Sequence, residues 1–230
     1  MIMKCIFALA AAFALVLPVF SADLNTLTTE EKAAGWKLLF DGKSFDGWRT
    51  YKEGGKIGEG WKIEEGTLHK LPNVTAGDLI TEKTYTDFEF SWEWKLAEKG
   101  NNGVKYFITA ERKSAVGHEY QMIDDSTVKD DLSKTASFYL VLAPKADKPT
   151  KPMGEWNQSR IVVKGNHVEH WLNGAKVVEY ECGDAKILEQ VAKTKFKGVA
   201  KFGEKVTGHL LLTDHKDECW LRNIKVRELK

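Results

Sequence analysis

"DFEFSWEWKL", residues 87–96, alternates without a break. Phe88, Phe90, Trp92, Trp94 and Leu96 fall on one side of an extended chain, with Glu89, Ser91, Glu93 and Lys95 on the other. A period of two belongs to a half-buried strand, because successive side chains of extended backbone point to opposite faces. "EKGNNG" (98–103) then turns the chain into a hairpin partner, "VKYFITA" (104–110). "HEYQMI" (118–123), "SFYLVLA" (137–143) and "SRIVVKG" (159–165) read as further strands, and "CWLRNIKVREL" (219–229) closes the series. Asn173-Gly174 within "HVEHWLNGAKVVEY" suits a two-residue hairpin loop, since both positions tolerate positive φ. That loop predicts Leu172 opposite Ala175, His170 opposite Val177 and Val168 opposite Glu179. Helix signals are few: a capping box of Thr28 and Glu31 ahead of Gly35, and "AKILEQVAKTKF" (185–196). Many short strands with turn signals and little helix predict an all-β sandwich of two antiparallel sheets, for which a jelly roll is the natural form.

The chain opens with Lys4, an apolar run from Cys5 to Phe20 and small residues at Ser21 and Ala22, the pattern of a secretory signal peptide. The expected organisation is a signal peptide over 1–21, a helical lead-in over 22–34 and one domain over 35–230, secreted or periplasmic and free of the membrane after cleavage. Lys and Arg number 34 against 33 Asp and Glu, and Lys4 leaves with the signal, so the two signs balance. A balanced protein has no broad field to collect polyanions, which argues against nucleic acid and anionic membranes as partners. Cys182 and Cys219 remain in the mature chain, too few for a zinc site. In an oxidising compartment they are expected to pair.

Chemistry concentrates in "GHEYQMIDD", residues 117–125. Glu119 and Gln121 share a strand face about 7 Å apart, whereas Asp124 falls on the opposite face unless a bulge turns it back. An ordinary glycosidase needs two carboxyls roughly 5 to 9.5 Å apart, and this segment supplies such a pair only with that bulge. His118 shares the face of Tyr120 and Met122, and His170 sits on the apolar hairpin face, so both read as core histidines. His215, in "TDHKDE" before the last strand, reads as a loop residue of the site. Lys105 points away from Val104 and Tyr106, with Phe107 on its own face, either to hold an oxyanion or to meet solvent. Of eight tryptophans, Trp92 and Trp94 follow the core period, and Trp48, Trp156 and Trp171 are the candidates for an aromatic stacking platform.

These segments, with "WKLLFDGKSFDGWR" (36–49), "WKIEEGTLHK" (61–70) and "GEWNQSRIVVKGNHVEHWLNG" (154–174), resemble the 3-keto-disaccharide hydrolase family over roughly Gly35 to Lys230. The resemblance implies a concanavalin-like jelly roll acting on small glycosides whose C3 hydroxyl has been oxidised to a ketone. It maps the family's acidic strand onto Glu119, Gln121 and Asp124. The family's closing "QDHG" stands here as "TDHK", keeping Asp214 and His215 and departing at Thr213 and Lys216. Taken with the reading of the residues, the catalytic candidates are Glu119, His215 and Lys105, with Gln121, Asp124, Trp156, Trp171 and Trp48 as candidates for binding the sugar. No redox cofactor is required. A divalent cation held by Asp124 and His215 is the alternative to Lys105 or Gln121 as the oxyanion partner. A carbohydrate-binding module without catalysis and a conventional glycosidase are the competing classes, since one fold hosts many functions.

Intact-mass measurement of the exported protein tests the N-terminal reading. The mature mass should begin at or next to Ala22, and a product retaining Cys5 contradicts it.

Overall fold

The computed structural model describes residues 23–52, 55–112 and 114–230, so the expected signal segment lies outside the described residues. Two antiparallel sheets face each other. The larger runs in spatial order β11 (Ala175–Glu181), β10 (His167–Leu172), β9 (Asn157–Lys164), β6 (Phe88–Leu96), β13 (Cys219–Glu228), β4 (Thr67–Lys70) and β3 (Trp61–Glu64). β1 (Lys37–Leu38) joins β13 beyond the end of β4. The smaller runs β2 (Trp48–Thr50), β5 (Leu79–Thr81), β12 (His209–Leu212), β7 (Asn101–Ile108) and β8 (His118–Ile123). α1 (Thr29–Ala33) starts on the Thr28–Glu31 capping box, and α2 (Ala185–Ala192) follows β11. The architecture is a jelly-roll sandwich.

β6 supplies the centre of the core, with Phe88, Phe90, Trp92, Trp94 and Leu96 all buried between the sheets. Its other face is less open than alternation suggests. Glu89 is buried there because Arg160 and Arg227 close over it, at 2.7 and 2.6 Å from its two oxygens.

Four expectations are corrected. In the β10–β11 hairpin Leu172 does pair with Ala175, but a bulge at Val177 shifts the rest, so His170 faces Val178 and Val168 faces Tyr180. The regular register would turn Glu179 inward and Tyr180 outward; the bulge buries both valines and Tyr180 and leaves Glu179 in solvent. A second bulge falls at the end of β7, where Phe107 takes φ 61° and turns into the core rather than sharing the face of Lys105. "SFYLVLA" is no strand. The backbone doubles back on itself, with Phe138 and Leu142 exchanging hydrogen bonds of 3.0 and 2.9 Å and Leu140 at φ 64°. Finally, Cys182 and Cys219 are free, buried thiols. β11, which leads into Cys182, and β13, which starts with Cys219, lie four strand positions apart in one sheet. That is roughly 19 Å at the usual strand spacing, far beyond disulfide reach.

A polar chain crosses the apolar centre. The Gly203 amide donates to His118 Nε2 at 3.0 Å, which leaves the hydrogen of His118 on Nδ1, 2.8 Å from the Tyr180 hydroxyl. Tyr180 lies 2.7 Å from Tyr106, which lies 2.8 Å from His170 Nε2. His170 Nδ1 then donates to the Ala136 carbonyl at 2.9 Å. One direction of donation satisfies every link, and it requires both imidazoles to be neutral. Burial holds His118 well below the ordinary histidine range and pushes His170 down to about 4.

The unfolded chain takes up protons near pH 6.5 at these positions while the folded chain does not. Stability should therefore fall as pH drops from about 6.5 towards 4, by about 1.4 kcal/mol per pH unit for each buried imidazole. Urea unfolding at pH 7 and 5 measures the loss. His170→Gln, which keeps an acceptor for Tyr106 and a donor for Ala136, should reduce it, and a pH-independent midpoint contradicts the assignment.

Candidate active site

The outer face of the smaller sheet carries the site. Ile80 pairs with Leu211, Leu211 with Lys105 and Lys105 with Glu119, a single line of side chains across β5, β12, β7 and β8. Ile80 and Leu211 join Ile108 in a small apolar cluster separate from the main core. At the far end of the line the surface becomes charged. Lys105 Nζ stands 3.9 Å from Glu119 Oε2 and 3.5 Å from the Ala115 carbonyl, and His215 Nε2 stands 4.0 Å from Glu119 Oε1. Glu119 is only 7% exposed, with an ammonium and an imidazole flanking it, whereas His215 reaches solvent. Gly103 makes this possible: a Cβ there would lie 2.5 Å from Glu119 Oε1.

His215 sits on a loop that is pinned from below. Asp214 Oδ2 accepts the amides of Ala76 and Gly77 at 2.6 and 2.7 Å, and Oδ1 accepts Lys216 N at 3.0 Å. The ammonium of Lys70, fully buried, lies 3.1 Å from Asp214 Oδ1 and donates to the carbonyls of Leu71 and Val74. Burial pushes the Asp214 carboxyl up, but the amides of Ala76 and Gly77 with Lys70 outweigh it and hold the group below the usual range.

Asp78 completes the set, and sequence reasoning missed it. It precedes β5 and stands two residues before Ile80, the one available signal that it shares the outer face. Its Oδ1 accepts the Asp214 amide at 2.8 Å. Burial raises its pKa, assisted by the charge of Asp214, against the lowering effects of the Asp214 amide, Lys105 and His215. Asp78, Asp214 and Tyr51 line a cavity of about 440 Å³, within the range of small-molecule sites. Two carboxyls in unlike surroundings beside one ammonium and one imidazole form a set able to divide base and acid duties.

The other sequence candidates are distributed differently. Gln121 lies beside Glu119 on the same face, opposite Gly103, and its buried carboxamide oxygen has no hydrogen-bond partner among the described residues. Asp124 caps the short 3-10 turn after β8, with Oδ1 accepting Ser126 N and Oγ at 3.0 and 2.7 Å and Oδ2 accepting Lys99 N at 2.9 Å. Its oxygens are therefore committed to the backbone turn, and no ligand pair with His215 forms. Trp48 is a core residue, 5% exposed, with its indole N–H on the Leu39 carbonyl. Trp171 lies on the opposite side of the sandwich, its ring against Arg160 on the outer face of the larger sheet, and Trp156 packs against Arg222 of the same face. Among the described residues, one group of three His and carboxylate donors has its ligand atoms within 4.8 Å, namely His167, Glu169 and Glu179. Lys176 already bridges the two carboxylates there.

The sequence pattern of the family described as 3-keto-alpha-glucoside-1,2-lyase-like domain matches residues 35–227. A 3-keto-disaccharide hydrolase of Bacteroides thetaiotaomicron is 30% identical over 244 residues, 91% of this chain and 83% of that protein. Among solved structures, a candidate glycosyl hydrolase of Parabacteroides distasonis superposes with a TM-score of 0.80 at 34% identity, covering 90% of this chain and 100% of the other. A second protein of that description and organism reaches a TM-score of 0.66 at 26% identity, over 84% of this chain and 99% of its own. With nearly the whole domain matched in sequence, the chain belongs to the 3-keto-alpha-glucoside-1,2-lyase-like family.

Proposed function

We infer that this protein is a sugar-cleaving enzyme acting on small glycosides that carry a ketone at C3, after export from the cytoplasm. The observation that supports it most directly is the placement of Glu119. It is a sequestered carboxylate with a lysine ammonium and an imidazole at 3.9 and 4.0 Å, one at each oxygen. A C3 ketone acidifies the C2 hydrogen, because the electron pair left behind delocalises onto the carbonyl oxygen. Glu119 takes that proton as general base. Lys105, next to it on β7, meets the developing negative charge on O3, the kind of fixed charge that lowers such barriers most. Collapse of the enolate expels the C1 oxygen of the aglycone and leaves a C1–C2 double bond conjugated to the ketone. Asp78 supplies the proton the departing oxygen needs, since burial favours its protonated form. Water then adds to C1, a proton returns to C2, and the sum is hydrolysis. His215 keeps the Glu119 carboxylate oriented, and Gln121 offers its unpaired oxygen to a sugar hydroxyl.

The family and relative names agree with this substrate class, and the charged groups around Glu119 are of the kind its chemistry calls for. A conventional glycosidase would cleave the unoxidised disaccharide, and a lectin would bind either sugar without turnover.

Glu119→Gln keeps the shape and removes the base. Turnover of a 3-keto-disaccharide should fall by about 100-fold or more, with binding little changed. Full activity in this variant, or equal turnover of the unoxidised disaccharide by the wild type, overturns the reading. Asp78→Asn should lose a comparable factor on a sugar leaving group and most of that loss should vanish with a nitrophenyl aglycone, which departs without protonation. Because the raised pKa keeps Asp78 protonated above the ordinary aspartate range, wild-type activity should decline on the alkaline side as that proton is lost. Equal losses on both aglycones would remove Asp78 from the acid role.

A further inference from the structure

The face of the sandwich away from Glu119 carries a feature that the chemistry does not use. Four tryptophans surround the outer face of the larger sheet, all half-buried: Trp171 on β10, Trp220 on β13, Trp36 before β1 and Trp156 before β9. Trp36 and Trp171 line a depression of about 310 Å³ whose floor includes Ser91 of β6. Trp156 and Trp220 line a second of about 640 Å³ that includes Lys95 of the same strand. Ser91 and Lys95 are four residues apart on one face of β6, so the two depressions follow each other along the strand at roughly 13 Å.

Most of the charges on this face are paired with one another. Arg160 and Arg227 both bind Glu89, Arg222 binds Glu93 at 2.7 Å, and Lys225 binds Glu31. The same cations lie against the indoles: Arg160 is 4.3 Å from the Trp171 ring, Arg222 3.9 Å from Trp156, and Arg227 5.2 Å from Trp36. Each stack holds a ring in place, so little rotamer entropy is lost when a ligand packs on it. Among the described residues, a polyanion would find no free cation in either depression except Lys95, which already lies 4.2 Å over Trp220. A neutral ligand with apolar C–H faces and peripheral hydroxyls suits aromatic rings framed by paired charges, and a run of two aromatic stations suits a chain of linked units.

We propose that the outer face of the larger sheet is a second, non-catalytic carbohydrate site that binds a neutral, unoxidised glycan chain through Trp36 and Trp171 at one end and Trp156 at the other. Such a site would hold the enzyme on a polymeric glycan while the opposite sheet processes small products released near it. It stands independently of the chemistry assigned to Glu119, because its ligand lacks the ketone.

Intrinsic fluorescence and calorimetric titration with neutral hexasaccharides test it, using α-1,4-gluco, β-1,4-gluco and β-1,4-xylo chains. At least one should give saturable binding that Glu119→Gln leaves unchanged. Trp171→Ala and Trp36→Ala should each weaken that binding by about tenfold or more. Both should keep turnover of a soluble 3-keto-disaccharide within about twofold, which also reports that they fold. Two variants on different elements guard against one that fails to fold. No binding by any of the three chains overturns the proposal. So does binding abolished by Glu119→Gln but kept in both tryptophan variants, and so does a dimer in sedimentation that Trp171→Ala dissociates, which would make this face an interface between copies.

Discussion

Two imidazoles and two phenols sealed between apolar sheets set a condition that the rest of the sandwich must meet. Each polar atom of His118, Tyr180, Tyr106 and His170 costs free energy inside the core unless its partner is in place, about 1–3 kcal/mol for each lost bond. The chain spans both sheets, since His118 and Tyr106 come from the smaller and His170 and Tyr180 from the larger. It also reaches the backbone of two loops, at Gly203 and Ala136. Apolar packing alone tolerates small slides of one sheet over the other. A chain of directional bonds does not, so it fixes the registry between layers that hydrophobic contact leaves loose. The bulge at Val177 belongs to the same logic, because the regular hairpin register would carry the Tyr180 hydroxyl out of the core.

That registry bears on the candidate site. His118 immediately precedes Glu119 on β8, and alternation sends the imidazole inward and the carboxylate outward. The doubled-back segment 137–142 caps the free edge of β8, with the Tyr139 amide on the Glu119 carbonyl at 3.1 Å. The Glu119 carboxylate therefore projects from a strand held on its inner face, on its edge and across to Lys105. Such support from rigid elements is what keeps a reacting group within the narrow tolerance that proton transfer requires.

The period-two pattern of residues 87–96 and of the strands that follow was enough to read the fold class, and the same rule put Glu119 with Gln121 on one face, while strand pairing brought Lys105 beside them. Alternation failed at Phe107 and at Val177, where single-residue bulges relieve a conflict between register and burial that only the facing layer reveals. The tryptophans were hard to place for a related reason. An indole in a strand sequence fits either side of a sheet, and only topology shows that Trp171 and Glu119 lie on opposite sides of the protein. Asp78 escaped notice because its importance comes from the Asp214 amide and from Lys105 and His215, groups 27 or more positions away that arrive through sheet pairing. The cysteines show the same limit. Their strands share a sheet, and strand order, which local sequence does not encode, keeps them apart.

The buried ion pair of Lys70 and Asp214 joins parts of the chain that belong to different layers. Lys70 ends β4 of the larger sheet, while Asp214 sits just past β12 of the smaller one and carries His215 beside it. Glu119 and Lys105 meet within their own sheet, and the loop that carries the imidazole is tied in addition to the other layer through the lysine and its carboxylate. The position of the imidazole is in that sense coupled to the seating of one layer on the other. A partly opened molecule would keep the Glu119 carboxylate and the Lys105 ammonium side by side, yet lose one of the anchors that hold the imidazole beside them.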